Sequence, residues 1–131
     1  MDRVIRCIAD SVVSPLGLTS AENYRNVKAG RSKLSRYETM GNVSTPFMLS
    51  RIDRAVIDAL CRELGIPCRE YTFFEKMLLV SSLQAVRESG IEASSNRVLF
   101  VISTTKGNVS LLDAGNDDFP VLERRRHHGH Q

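Results

Sequence analysis

Three cysteines and three histidines are the residues best suited to chemistry in this 131-residue chain. Cys68 stands in the context Pro67-Cys68-Arg69-Glu70, and a neighbouring cation lowers a thiol's pKa, one route to a nucleophile. Such a thiol also needs a base. His127, His128 and His130 all fall in the last five residues, so no imidazole stands in the first 126 residues to serve Cys68. Cys7 lies in a β-branched run and Cys61 in an apolar helical pattern, where cysteine acts as a small hydrophobe. An odd cysteine count without a C-x-x-C spacing speaks against a disulfide framework or a zinc site, and points to a reducing cytoplasm. The imidazoles of His127, His128 and His130 suit a transition metal. A terminal cluster has no surrounding groups to orient its rings, however, and the solvated-tail reading is favoured. Arg124, Arg125 and Arg126 read as a solvated charge run in the same way. Thr104-Thr105-Lys106-Gly107 follows an apolar run, but its threonines precede the lysine and only one glycine is near, so it is not a phosphate loop. No catalytic, cofactor-binding or metal-binding residue is assigned, and no cofactor is implied.

Charge and hydropathy narrow the classes further. The chain carries 18 basic and 15 acidic residues. The last nine residues hold three of the arginines and one acid, and without them the balance is 15 against 14. The basic character belongs mostly to the tail, which argues against a nucleic-acid-binding body. The longest apolar run, 98–102, is far shorter than the ~18 residues that read as a bilayer span. No apolar stretch follows the opening Met1-Asp2-Arg3, so no secretory signal is expected. Neither nucleic acid nor membrane is an expected partner.

The elements that must position these residues are punctuated clearly. Residues 3–9 are short and rich in β-branched side chains, the pattern of a strand. Thr19 with Glu22 forms a capping-box pattern and Gly30 a stop signal, which predicts a helix over 20–29. Ser50 as cap, with Asp53 at the favourable charge position, opens a second helix over 51–64. Its apolar stripe is Ile52, Val56, Leu60 and Leu64, and Gly65 with Pro67 ends it. Thr72 and Glu75 form another capping box ahead of a helix over 73–88 that is apolar on several faces and expected to be buried. Residues 43–49 suit a short extended piece. Residues 98–103 read as a strand covered on both faces. Two strands joined by helical crossovers predict a parallel pair, 3–9 with 98–103, and an α/β class with helix 73–88 packed on that pair. Two strands alone leave edges and faces open, so the chain reads as part of a larger fold. Residues 113–131 read as an irregular, basic, His-rich tail.

Val12-Val13-Ser14-Pro15-Leu16-Gly17-Leu18, followed by a short helix carrying Tyr24 and ending Lys28-Ala29-Gly30-Arg31-Ser32, resembles the N-terminus of β-ketoacyl-acyl-carrier-protein synthases. The likeness covers about residues 3–112, with residues 113–131 outside it. Ala9, Ser11 and Arg6 depart from the family's glycines and fully apolar first strand, as in a divergent branch. The resemblance implies a partial thiolase-like fold, a dimer, and an acyl carrier protein as partner. Family members condense an acyl group with malonyl-carrier protein. A cysteine at a helix N-terminus takes the acyl group as a thioester, and two histidines assist decarboxylation. A helix N-terminus suits that cysteine because the dipole lowers its pKa and the amides bind an oxyanion. The family's T-A-C-[SA]-S and H-G-T-x-T motifs are absent from this sequence. The resemblance therefore implies an N-terminal synthase segment, in fatty-acid or polyketide-like biosynthesis, that is inactive alone. The alternative is a non-enzymatic subunit that completes a thiolase-like fold in a complex, and a small nucleic-acid binder using the basic tail is a third, weaker reading. A truncated or frame-shifted reading of a longer gene would account for the tail.

Overall fold

Local capping chemistry decides where the helices begin. The computed structural model describes residues 4–113 and 115–128. Helix α1 is Ser20–Lys28, capped by the Thr19 hydroxyl, which accepts from the Glu22 amide. Helix α2 is Arg54–Leu64. Its cap is Asp53, whose carboxylate accepts from the Ala55 amide, rather than the expected Ser50 three residues earlier. Gly65 in the left-handed region closes α2. Helix α3 is Phe73–Ser89, opened by the Thr72–Glu75 capping box and closed by left-handed Gly90. A left-handed residue at a helix end suits glycine because it carries no Cβ. These three helices occupy the segments that the caps predict.

The expected α/β architecture is overturned. Neither the described part of 3–9 nor 98–103 forms a strand. Among the described residues the only sheet is an antiparallel pair, β1 (Ser35–Tyr37) and β2 (Phe47–Leu49), with Arg36 opposite Met48. The partial thiolase-like fold with a parallel strand pair and crossover helices is therefore not the fold of this chain as it stands. The hairpin wins because its ends are close in sequence. Closing a chain of some ninety residues costs more entropy, and an isolated two-strand pair with uncovered faces does not return it. Met40 and Val43 exchange both backbone hydrogen bonds at 3.0 Å, with Gly41 at φ 55 between them. Positive φ at the first central position is the type II′ pattern that suits strand twist. Tyr37 stacks on Phe47 at the last pair, ring centroids 5.9 Å apart.

The core sits between α2 and α3. Ile57, Cys61 and Val80 are fully buried there, joined by Ile66 after the α2 turn. The predicted stripe on α2 is rotated by one position. Ile57 and Cys61 are central, Leu60 and Leu64 are at the margin, and Val56 faces solvent. Residues one apart sit about 100° around a helix, so a broad apolar face leaves its centre undetermined by spacing alone. Helix α3 does not lie on a strand pair. Its second neighbour is the irregular segment before α1, where the Ser81 hydroxyl donates to the Ser11 carbonyl at 3.2 Å. The apolar runs expected as strands remain open: Ile5 is 95% exposed, Leu99 84% and Val101 82%.

A short 3-10 turn at Cys68–Glu70 links α2 to α3, and another at Val109–Leu112 precedes the last helix. That helix, α4, is Phe119–His128, where the sequence reading has an irregular tail. His127 and His128 end it, their side chains lie outside the described ones, and His130 lies outside the described residues.

Candidate functional site

The Ser14-Pro15-Leu16-Gly17 loop, which carries the family resemblance, is a hydrogen-bonded knot. Ser14 and Gly17 exchange backbone bonds at 2.9 and 3.1 Å. The Leu16 amide donates to the Ser14 hydroxyl at 3.1 Å, and that hydroxyl donates to the Asn23 side-chain carbonyl. The Asn23 amide in turn donates to the carbonyls of Val12, Gly17 and Thr19 at 2.8 to 2.9 Å. Asn26 donates to the Leu16 carbonyl, and Glu22 accepts from the Leu18 amide at 2.8 Å. Gly17 is required by space: a Cβ there would stand 2.6 Å from the Glu22 Cβ and 2.9 Å from the Asn23 nitrogen. Buried Asn23 is the hub, and the sequence reading passed over it. Its signal was a poor helix former placed just inside a helix beside a tight loop, where an amide can satisfy free carbonyls.

A second polar cluster gathers at the start of α3. The Thr72 hydroxyl accepts from the Glu75 amide and donates to the Asn108 side-chain carbonyl at 2.6 Å. Glu75 accepts from the Thr72 amide, from Asn108 and from both guanidinium nitrogens of Arg125. These bonds, those of Arg125 foremost, outweigh burial and hold the Glu75 carboxyl down at about 2. Buried Asp118 accepts from Arg54 at 3.1 Å, the Phe73 amide at 3.0 Å and the Ser110 hydroxyl at 3.0 Å. Burial alone would raise its pKa; the bonds from Arg54, Phe73 and Ser110 prevail and lower it. Arg54 also lies over the Phe73 ring, 4.5 Å from its centroid. This cluster joins α2, α3 and α4 through paired charges. Arg125 and Arg124, which donates to the Arg69 carbonyl, are therefore not the free solvated run that their sequence suggests.

The cysteines separate into one exposed thiol and one pair. Cys7 lies exposed on the N-terminal segment, 3.4 Å from the Ala9 carbonyl. Cys61 is buried in the core and Cys68 is half-buried against it. The Cys68 sulfur lies 3.5 Å from the Asp58 carbonyl and 3.6 Å from that of Ile66. Burial first, then the neighbouring Cys68 thiol, pushes Cys61 up to about 11, the opposite of an activated nucleophile. In the 104–107 loop the Thr104 hydroxyl accepts the amides of Lys106 and Gly107, so those donors turn inward and not toward a ligand.

The described residues thus bring together two structural polar clusters and a thiol pair. Among the described residues, no group of three or more His, Cys, Asp or Glu could hold a metal ion. No described helix is long and apolar enough to cross a membrane. Comparison with protein-family models, curated proteins and solved structures finds no match for this chain.

Proposed function

We propose that this chain is an N-terminal segment of a β-ketoacyl-acyl-carrier-protein synthase, a scaffold piece without condensing activity of its own. The observation that carries the reading is the knot around Asn23. Ser14, Leu16, Gly17 and Leu18, within the stretch that resembles the family, are held to α1 by Glu22, Asn23 and Asn26, with a glycine that admits no Cβ. Their role is shape, which is the role such residues would keep in a segment that does no chemistry. The exposed apolar runs around Ile5 and Leu99 to Ile102 add support, because a larger assembly would cover them. An acyl carrier protein as partner, a dimeric parent and a cytoplasmic setting belong to the same proposal.

The test has a genetic and a biochemical half. The DNA downstream of residue 131 is read in all frames for T-A-C-[SA]-S, and the purified chain is assayed for malonyl-carrier decarboxylation. The expected results are the motif in a downstream frame and no turnover above background. Turnover by the chain alone overturns the inactive reading. A downstream sequence without the motif, with a stable heteromer in cells, replaces this proposal with the partner-subunit alternative.

A further inference from the structure

We infer that Cys61 and Cys68 form a redox-sensitive thiol pair that closes to an intramolecular disulfide when the protein meets a hydroperoxide. The backbone prepares the pair. Gly65 turns left-handed at the end of α2, and the Ile66 amide returns to the Cys61 carbonyl at 2.8 Å. The chain therefore doubles back at once and lays Cys68 along the last turns of α2. Its sulfur rests 3.5 Å from the carbonyl of Asp58, three residues before Cys61 and on the same side of the helix. Cys68 packs against the buried cluster that contains Cys61. Pro67 limits the freedom of the short connection.

The two thiols differ in access. Cys61 is fully buried and Cys68 is half-buried, so an oxidant dissolved in water meets Cys68 first. The Cys68 thiolate attacks one peroxide oxygen and becomes a sulfenic acid, releasing hydroxide. The Cys61 sulfur then attacks the Cys68 sulfur, the S–O bond breaks, and water leaves with the thiol proton. One hydroperoxide accepts the two electrons that the two thiols give up. The product would fasten the start of the Cys68–Glu70 turn to α2 and restrain the connection into α3. This inference stands whether or not the chain belongs to a condensing enzyme.

The experiment treats the reduced full chain with one equivalent of hydrogen peroxide, blocks remaining thiols and maps tryptic peptides by mass. Cleavage after Arg62 and Arg69 separates the cysteines, so the disulfide appears as peptides 55–62 and 63–69 joined with the loss of two hydrogens. The expected result is this joined species as the dominant disulfide in the native protein. The same treatment in concentrated urea should give a mixture that includes Cys7. In Cys61→Ala, Cys68 should stop at the sulfenic acid after one equivalent and advance to the sulfinic acid only when a second equivalent is added, because its partner is gone. Native protein that yields no joined peptide, or the same mixture as in urea, overturns the inference.

Discussion

Arg125 on α4 grips Glu75 in the first turn of α3 with both guanidinium nitrogens, Nη1 to Oε1 at 3.0 Å and Nη2 to Oε2 at 2.6 Å. The same guanidinium donates to the Glu70 carbonyl at 2.9 Å. A fork-to-fork pair of this kind fixes orientation as well as distance. It docks the last helix onto the capping box of α3, so the basic C-terminal segment is part of the fold.

Stability should fall with acid through Glu75. Its folded pKa is about 2 against an ordinary 4.5. A depressed carboxyl contributes its stability above the unfolded value and loses it as pH falls toward the folded one. The contribution is therefore full above about pH 4.5 and fades toward pH 2, and Asp118, also lowered, acts in the same direction. Urea midpoints measured from pH 6 to pH 2 should drop through this window. Arg125→Ala should lower the unfolding free energy at pH 6 by about 1 kcal/mol, read as a lower urea midpoint, and have little effect near pH 2. An equal loss at both ends would show that the ion pair is not the cause.

Gly17→Ala should cost about 1–3 kcal/mol, the usual range for forcing atoms into a packed site. The new methyl would meet the Glu22 Cβ and the Asn23 backbone. Gly41→Ala is the control. It has open space but positive φ, so only a conformational cost of about 1 kcal/mol is expected there. Denaturant melts of both variants check the order, and a Gly17 variant no less stable than the Gly41 one contradicts the knot geometry.

Asn23→Leu should cost about 1–3 kcal/mol, because it leaves the Val12, Gly17 and Thr19 carbonyls without their shared donor. Asn23→Asp keeps an acceptor for Ser14 but removes the donor, so it should be no better than Leu. Amide hydrogen exchange across 12–27 should accelerate in both variants, and unchanged protection would sink the assignment of Asn23 as hub.

Two isoleucines test the corrected architecture. Ile57 is fully buried between α2 and α3, and Ile57→Ala should cost about 2–5 kcal/mol. Ile5 faces solvent, and Ile5→Ser should leave stability within about 0.5 kcal/mol and improve solubility. In the parallel-strand arrangement Ile5 would be a core residue. A large loss in Ile5→Ser would revive that arrangement against the observed fold.

What the sequence determined by itself is local. Thr19, the Thr72–Glu75 box, Gly65 and Gly90 marked the helices because capping and left-handed turns act within about four residues, a range that spacing encodes. Asp53 taking the cap in place of Ser50 shows the limit of that rule: two acceptors in one stretch compete, and the geometry of the first turn selects between them. Whether residues 3–9 and 98–103 would pair was not local. A strand needs a partner and a covered face, and this chain on its own supplies neither at tolerable entropic cost. The centre of the α2 face passed to Ile57 and Cys61 because α3 approaches from that side. Arg125 meeting Glu75 across fifty residues, and Asp118 meeting Arg54 across 64, carry no signature in spacing. Only the tertiary structure, by bringing α4 over the start of α3, turned a basic tail into the partner of the Glu75 carboxylate.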